Sequence, residues 1–368
     1  MKNKLGQLFI IGLEGKSLTE DEKRFLVEKN IGGVILFGRN IESPKQLHSL
    51  IQEIQSLRHK TEDKLPFFVS IDMEGGRVAR LKAPFTQWPP MAQLGKIDSP
   101  VLGFKFGESL GQELRSIGIN LDYAPCTDVL TNPQNTVIGD RAFGADPEIV
   151  AKMASAVVRG LIKSEVISCV KHFPGHGNTL VDSHEDLPVE KDVDLERLRE
   201  LELLPFKRTF RARVDMVMTA HILYPKIDSE WPATLSQIFI EKILRDELGF
   251  RGLVITDDLD MKALSKNWPV EFLPIRSFQA GADIALYCNN PESHRIGVES
   301  VEKAFADGVL SSALLETRLQ RVLSVKKARL RNPDPLPLAD VSRIVGHPDH
   351  LKLAKSIASG EVPAGLVS

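Results

Sequence analysis

Eight short, continuously apolar runs recur along this chain, and stretches with a helical pattern separate them. Continuous apolarity is typical of strands buried on both faces, as in a parallel sheet that helices cover. Eight strands of this kind favour a closed barrel. The runs are QLFIIGL at 7–13, GGVILF at 32–37, PFFVSID at 66–72, NLDYAPCTDV at 120–129, VISCVKH at 166–172, DMVMTAHI at 215–222, GLVITDD at 252–258 and ADIALYCN at 282–289.

The segments between the runs carry helix signals of their own. Ser43 followed by Pro44 is typical of a helix start, and Gln46 is predicted to complete a capping box. Thr19 and Glu22 form a second capping-box pattern. Alternation of this kind over about 300 residues agrees with a TIM barrel, which usually takes about 250 residues and more with insertions. The sequence therefore predicts an α/β fold, a (β/α)8 TIM barrel in a single domain.

The chain is predicted to divide into a catalytic barrel at residues 1–332 and a C-terminal extension at 333–368. The segment RNPDPLPLADV is rich in proline and is expected to run extended. A helical pattern at 349–358 predicts one helix in the extension, which we expect to cover the barrel without forming a second domain.

Charge and cysteine usage limit the partners and the compartment. The chain has 368 residues, of which 47 are basic and 49 acidic, so no overall field recruits nucleic acid or an anionic membrane. A small neutral or weakly charged ligand fits better, and we expect a monomer. Cys126, Cys169 and Cys288 are odd in number and lie far apart in apolar runs, as free thiols in a reducing compartment do. The N-terminal apolar stretch is too short for a secretory signal, which predicts a cytoplasmic protein.

Polar side chains follow the predicted strands at their carboxyl ends. In a TIM barrel the loops after these ends build the open mouth, where catalytic residues stand. We therefore expect the side chains to share a site, although ordinary solvation of strand ends is the alternative. They are Asp72, Asp128, Lys171, His172, His221, Asp257, Asp258 and Asn289.

The segment KHFPGHGNTLVDSHEDLP, residues 171–188, is named the histidine loop. Its proline and glycines exclude regular structure, and a long irregular loop of this kind is expected to carry functional side chains over the mouth and to move. Asp182 and His184 are two residues apart, which in an extended segment places both side chains on one side. A carboxylate bonded to one imidazole nitrogen leaves the other as an acid or base, although a surface histidine beside an acid is the bland alternative.

A metal site is a competing interpretation of the same loop. His172, His176, Asp182 and His184 are all possible zinc ligands, and zinc hydrolases occur on barrels. Their spacing matches no compact pair-plus-pair zinc pattern. We predict no metal and no cofactor.

Two further motifs place charged groups at the mouth. In ITDDLDM, the period of two sends Asp257 and Asp258 to opposite faces, so that one should face the pocket, and spacing does not say which. IDMEGGRVARL gathers carboxylates and guanidinium groups around a glycine turn, which suits sugar hydroxyls, whereas the alternative is a salt-bridged loop that braces the rim. The charged residues here are Asp72, Glu74, Arg77 and Arg80, and VIGDRAFG adds Arg141.

Three motifs, DMEGGRVAR, KHFPGHG followed by DSH, and TDDLDM, resemble those of glycoside hydrolase family 3 in the same order. The resemblance covers most of residues 5–330 and is to the family's single-domain β-N-acetylglucosaminidases. It implies a retaining exo-enzyme that hydrolyses terminal non-reducing β-linked GlcNAc. The implied natural substrate is GlcNAc-anhydroMurNAc peptide fragments in cell-wall recycling.

The resemblance also implies roles for individual residues. Asp257 corresponds to the nucleophile, and His184 to the acid/base, assisted by Asp182. The implied mechanism is double displacement with retained configuration. The residues implied to hold the terminal sugar are Asp72, Arg80, Arg141, Lys171 and His172.

The sequence departs from the commonest family pattern at Met73 and Ala79, where glutamine is frequent, which puts rim contacts in doubt. No residue can be named as an acetamido pocket, and His176 has no predicted role. A family β-glucosidase is the main alternative activity, followed by a phosphorolytic relative. A catalytically silent sugar-binding barrel is the alternative from another class.

Overall fold

In the computed structural model, which describes residues 2–362, eight parallel strands close into a barrel, and this confirms the predicted (β/α)8 fold. β1 pairs with both β2 and β10, so the barrel sheet has no open edge. The strands in chain order are β1 (Phe9–Gly12), β2 (Gly33–Leu36), β3 (Phe68–Ile71), β4 (Met73–Gly75), β5 (Val78–Ala79), β6 (Leu121–Asp122), β7 (Ile167–Phe173), β8 (Met216–Thr219), β9 (Leu253–Asp258) and β10 (Ile284–Tyr287). All except β4 and β5 belong to the barrel.

Each predicted apolar run contains a barrel strand, but β6 has only two residues where the run at 120–129 predicts a longer one. Pro125 has no N–H to donate to a ladder, which limits regular pairing there. The chain still follows β7, because Thr127 N–H donates to Lys171 O at 2.7 Å. β4 and β5 form a hairpin that was not predicted as strands, and its turn uses the positive φ angles of Gly75 (102°) and Gly76 (56°).

Helices surround the sheet and pack apolar side chains against it. They are α1 (Glu20–Glu28), α2 (Pro44–Ser56), α3 (Met91–Ile97), α4 (Pro100–Ile117), α5 (Pro147–Lys163), α6 (Leu195–Glu200), α7 (Leu203–Arg211), α8 (Lys262–Ser265), α9 (Phe272–Ala280), α10 (Pro291–Ala306), α11 (Ser312–Arg329), α12 (Leu338–Ile344) and α13 (Pro348–Ser359). A π-helical segment at Ile238–Glu247 fills the helical position between β8 and β9.

The predicted helix starts are present, with one correction. Thr19 and Glu22 form the reciprocal capping box at the start of α1. Ser43 Oγ accepts from Gln46 N–H at 3.2 Å at the start of α2. A capping box would also require the Gln46 side chain to accept from the N–H of Ser43. It accepts instead from the N–H of Glu42, at 2.9 Å, so the predicted capping box is not formed.

The C-terminal extension contains two helices, α12 and α13, where one was predicted. α12 follows Pro337, has seven residues and buries only Val341 among them, so it leaves no amphipathic stripe in the sequence. Both helices pack on the outer wall of the barrel, where Glu113 of α4 accepts from Gly346 N–H and His350 Nδ1, each at 3.0 Å. The last residues of the predicted extension, 363–368, lie outside the described range.

All three cysteines are buried and unpaired, as predicted. Among the described residues, none of the helices combines the length and the apolarity needed to cross a bilayer.

Candidate active site

A cavity of about 290 Å³ opens at the carboxyl ends of the barrel strands. The apolar side chains of Phe37, Tyr123, Met218 and Met261 form part of its wall. The eight residues to which the family resemblance gives catalytic or sugar-holding roles all border this one cavity: Asp72, Arg80, Arg141, Lys171, His172, Asp182, His184 and Asp257. Of the polar residues predicted at strand ends, Asp128 and His221 do not border it.

The floor of the cavity is an ion-paired network. Lys171 Nζ lies 2.6 Å from Asp72 Oδ1 and 2.7 Å from Glu74 Oε1. Arg141 grips the same Glu74 with a fork, at 2.9 and 2.8 Å. Burial alone would raise the pKa of Glu74, but the charges of Arg141 and Lys171 hold it well below its usual value. These four side chains therefore form one hydrogen-bonded, charged floor.

Glu74 and Arg77 are the two charged residues of IDMEGGRVARL to which the family resemblance gave no role. The carboxylate of Glu74 is almost fully buried and joins Lys171 to Arg141, which comes from 67 residues further along the chain. Asp72 and Glu74 are two residues apart in an extended segment, so both side chains point the same way. That spacing was visible in the sequence, whereas the pairing of Glu74 with Lys171 and Arg141 was not.

Asp72 and Arg80 have binding capacity that the floor does not use. Asp72 Oδ2 lies 3.9 Å from Arg80 Nη2, too far for a hydrogen bond. Arg80 Nε is buried and has no hydrogen-bond partner within the described residues. Asp72 Oδ2 therefore remains an acceptor at the cavity wall beside the Arg80 guanidinium, as recognition of a hydroxyl-rich ligand requires.

His172 is oriented by a buried carboxylate. Its Nδ1 donates to Asp128 Oδ2 at 2.7 Å, and its Nε2 lies 3.4 Å from Arg141 Nη2. Burial alone would raise the pKa of Asp128, but His172 and His176 hold it well below its usual value. Nδ1 therefore carries the proton, and Nε2 is left as the acceptor toward the cavity side. Cys126 Sγ also donates to Asp128 Oδ2, at 3.1 Å. The atoms of Cys126, Asp128 and His172 that could bind a metal ion therefore lie together because they are hydrogen-bonded to one another.

The two aspartates at the end of β9 have different surroundings, although both border the cavity. Asp258 Oδ1 accepts from the N–H groups of Asp260 and Cys288, each at 3.1 Å, and burial with neighbouring Asp260 raises its pKa to about 7. Asp257 Oδ1 accepts from the N–H of Asp258 at 2.8 Å. Burial would raise the pKa of Asp257, but neighbouring histidines, His221 foremost, hold it below its usual value. Asp257 is therefore the more acidic carboxylate of this pair.

His221 lies behind the cavity wall. Its Nε2 donates to the carbonyl of Asp258 at 2.9 Å, and its Nδ1 lies 2.8 Å from Thr234 Oγ1. Burial lowers the pKa of this histidine. It braces the turn that carries the two aspartates and does not line the cavity.

The Asp182–His184 pair is present, but its geometry differs from the predicted one. Asp182 Oδ1 accepts from both the N–H of His184, at 2.9 Å, and its Nδ1, at 2.7 Å. The segment is a turn and not extended, because a short Asp side chain caps the N–H two residues ahead. Hydrogen bonds from His184 hold the pKa of Asp182 below its usual value against the effect of burial. The proton on Nδ1 is thereby fixed, and Nε2 makes no hydrogen bond within the described residues.

Several other nominated side chains brace the rim. Arg77 Nε donates to Asp140 at 3.1 Å and its Nη2 donates to the carbonyl of Thr136, so it braces the next loop. Asn289 accepts from Arg39 at 2.8 Å. Met73 and Ala79 are buried in the hairpin and do not border the cavity, and the effect of their difference from the family pattern on rim contacts stays a prediction.

Comparison with known proteins agrees with this site. The model of the glycosyl hydrolase family 3 N-terminal domain matches residues 1–325. A β-hexosaminidase of Thiobacillus denitrificans is 39% identical over 294 residues, covering 78% of this chain and 79% of that protein. The family 3 β-N-acetylglucosaminidase of Paenibacillus sp. FPU-7 superposes with a TM-score of 0.90 at 35% identity, covering 98% of this chain and 68% of that one.

A third relative matches along nearly its whole length. NagZ of Neisseria gonorrhoeae, solved in complex with N-trifluoroacetyl-D-glucosamine, has a TM-score of 0.78 at 32% identity, covering 96% of this chain and 98% of that one. Because the family model and these relatives each cover most of a barrel whose mouth gathers the motif residues, this chain belongs to glycosyl hydrolase family 3.

Proposed function

We propose that this protein is a retaining exo-β-N-acetylglucosaminidase. The observation that carries the proposal is the meeting of two groups at one small cavity: the ionised carboxylate of Asp257 and a histidine, His184, whose proton position is fixed by Asp182. The names of the relatives supply the preference for a 2-acetamido sugar.

The proposed reaction is a double displacement. Asp257 attacks the anomeric carbon, forming a glycosyl ester as the glycosidic C–O bond breaks. His184 enters this step with a proton on both ring nitrogens: its Nδ1–H stays bonded to Asp182, and its Nε2 gives its proton to the departing oxygen. Nε2, now unprotonated, then takes a proton from water, whose oxygen attacks the anomeric carbon and releases Asp257. Two inversions retain the configuration. A histidine in place of the usual second carboxylate adds no anion beside Asp257, so the nucleophile keeps its low pKa.

The charged floor is proposed to hold the terminal sugar. Lys171 Nζ has three donors and spends two on Asp72 and Glu74, which leaves one for a hydroxyl. Asp72, Arg80 and His172 offer the remaining acceptors and donors on the cavity side. A cavity of about 290 Å³ is at the low end for small-molecule sites, which supports recognition of one terminal sugar and hence exo-cleavage.

The substrate context is part of the same proposal. Muropeptide fragments that end in β-linked GlcNAc, cleaved in the cytoplasm during cell-wall recycling, fit the family resemblance. Three unpaired buried thiols support a reducing compartment. A monomeric barrel without metal or cofactor suffices for the chemistry, since every proposed step uses side chains of this chain.

The test is hydrolysis of an aryl β-N-acetylglucosaminide beside the matching aryl β-glucoside, with the released anomer followed by NMR. We expect the acetamido sugar to be turned over at least about tenfold faster, with the β-anomer appearing first. Preference for the glucoside, or first release of the α-anomer, contradicts the proposal. Sugar phosphate as the product in phosphate buffer would identify the phosphorolytic alternative, and loss of activity with a chelator would restore the metal interpretation.

A further inference from the structure

Ser183 is a buried residue inside an exposed turn. Its side chain is only 2% exposed, whereas the side chain of His184, the next residue, is 65% exposed. Ser183 Oγ lies 3.1 Å from His176 Nε2, and its carbonyl accepts from Ala263 N–H of α8 at 3.2 Å. The segment that carries Asp182 and His184 is therefore attached to the barrel through the residue between them.

His176 is itself held from several directions. Its Nδ1 lies 2.7 Å from Thr179 Oγ1, its N–H donates to Asp128 Oδ1 at 2.7 Å, and its carbonyl accepts from Asn135 Nδ2 at 2.7 Å. Burial and the neighbouring His172 lower its pKa to about 4, so the ring is neutral near pH 7. A ring fixed in this way is a stiff support for Ser183.

The support also connects the turn to the sugar-holding floor. Asp128 Oδ1 accepts from His176 N–H, while Oδ2 accepts from His172 Nδ1. The same carboxylate thus fixes the position of a proposed sugar contact and, through His176 and Ser183, the position of the proposed acid/base. His176 and Ser183 themselves do not border the cavity.

We propose that the hydrogen bond between His176 and Ser183 positions the Asp182–His184 pair for proton transfer to the leaving group. The inference rests on the proposed function and gives His176 and Ser183 the status of positioning residues. Loss of the hydrogen bond lets the turn shift relative to the cavity, and a misplaced Nε2 reaches the glycosidic oxygen less often. Attack by Asp257 and binding of the terminal sugar do not depend on the turn.

The competing explanation is a hydrogen bond that stabilises the loop without influence on proton transfer. The dependence on the leaving group separates the two. An activated aryl group departs without much help from an acid, whereas the sugar alcohol of a disaccharide needs its proton. A positioning role predicts selective loss on the disaccharide, and a merely structural role predicts no selectivity.

The experiment compares Ser183→Ala, His176→Asn and the double variant on an aryl β-N-acetylglucosaminide and on a GlcNAc-terminated disaccharide. Each single change is expected to lower kcat/KM on the disaccharide about five- to tenfold, as loss of one hydrogen bond does, with kcat/KM on the aryl substrate within about twofold. The ratio kcat/KM reports the step in which the leaving group departs, so the water-activating role of His184, common to both substrates, does not enter it. The double variant should lose no more activity on the disaccharide than the more impaired of the two single variants, because each single substitution removes the same hydrogen bond. Ser155→Ala is the matched control, since it removes a buried hydroxyl that bonds Ala151 O at 2.7 Å within α5.

Equal losses on both substrates, or additive losses in the double variant, overturn the inference. Wild-type protein that cleaves neither substrate overturns the proposed function instead. Hydrogen exchange of residues 180–187, followed by mass spectrometry, tests the attachment without using activity. Exchange should accelerate in Ser183→Ala and stay at the wild-type rate in Ser155→Ala, and unchanged exchange in Ser183→Ala also overturns the inference.

Discussion

In the first half of the histidine loop, residues 171–179, most side chains are buried, whereas in the second half, residues 180–187, most of them face water. The first three residues of the loop belong to β7, so the prediction that the whole segment is irregular is wrong there. Lys171 is 2% exposed and ion-paired twice. Leu180, nine residues later, is 71% exposed. One continuous segment therefore supplies both a fixed part and an accessible part of the same cavity.

The contrast between the two halves corresponds to two proposed tasks, sugar binding and proton transfer. Groups that hold a sugar gain from fixed geometry in a site of low dielectric constant, where unpaired charges are costly and each must have its partner. A group that gives a proton to a leaving group and later takes one from water needs contact with solvent. Burial in the first half and exposure in the second follow these two requirements.

The largest expected effect lies outside both halves, at the carboxylate that they face. Asp257→Ala is expected to lower kcat by roughly 10⁴- to 10⁶-fold, the range seen when a covalent nucleophile or its partner is removed. Steady-state kinetics on the aryl substrate measures it, and circular dichroism checks the fold. A loss below about a hundredfold would remove Asp257 from the nucleophile role.

The exposed half should affect chemistry but hardly affect stability. His184→Ala is expected to lower turnover of a disaccharide roughly 10²- to 10⁴-fold, the usual contribution of general acid catalysis, and to affect an activated aryl substrate far less. Its free energy of unfolding should stay within about 0.5 kcal/mol of wild type, since the residue is exposed. Equal losses on both substrates would contradict the acid role.

Substitutions in the charged network of the buried half should lower the free energy of unfolding as well as activity. Glu74→Gln leaves Lys171 and Arg141 without their shared carboxylate and is expected to cost about 3–5 kcal/mol in the free energy of unfolding, measured with denaturant. Asp182→Asn in the exposed half is the comparison and should cost less than about 1 kcal/mol. Similar costs for both variants would show that burial does not separate the halves.

The free energy of unfolding should depend on pH differently in wild type and in Glu74→Gln, because the folded protein lowers the pKa of Glu74. A carboxylate with a folded-state pKa below its unfolded value contributes stability that is fully present above the unfolded value of about 4.5 and is lost as pH falls through the folded one. Wild type should therefore lose more stability than Glu74→Gln when the pH is lowered below about 4.5. Parallel acid profiles would mean that the pKa of Glu74 is not lowered in the folded protein.

The smallest expected effect concerns exposed ion pairs. Lys262 Nζ lies 2.8 Å from Glu185 Oε2, and Lys266 Nζ donates to Glu185 O at 2.6 Å, so α8 also contacts the exposed half. Lys262→Glu is expected to lower disaccharide turnover about two- to fivefold in low salt, and 1 M salt should remove the effect. Combining it with Glu185→Lys should restore activity. Lys303→Glu, which breaks the exposed pair with Asp307, is the control, and a similar loss there would count against a local effect.

The barrel and the convergence of its strand ends were predictable, because continuous apolar runs and the residues that end them are local features of the sequence. The role of Glu74 was not, since it depends on Arg141 arriving from 67 residues away. The capped turn at Asp182 was missed because a spacing of two fits both an extended segment and a turn. α12 escaped notice because seven residues after a proline show no periodicity.

The role of His176 was also beyond the sequence. Its partner Ser183 lies in the same loop, yet only the folded path brings the two side chains together. By contrast, motif order was sufficient to nominate residues that border one cavity, although spacing did not distinguish Asp257 from Asp258. The surroundings of the two carboxylates supply that distinction: burial raises the pKa of Asp258, whereas neighbouring histidines hold that of Asp257 below its usual value.

Gly177 sets a limit on how this enzyme family can be recombined. A Cβ atom at this position would lie 1.8 Å from Val129 O, so the two backbones touch where only hydrogen fits. Asn132 N–H and Asn135 Nδ2 add bonds to the carbonyls of Gly177 and His176, at 3.1 and 2.7 Å. The histidine loop and the segment after β6 therefore depend on each other. A chimeric protein that takes one of them from a relative is expected to need the other from the same relative.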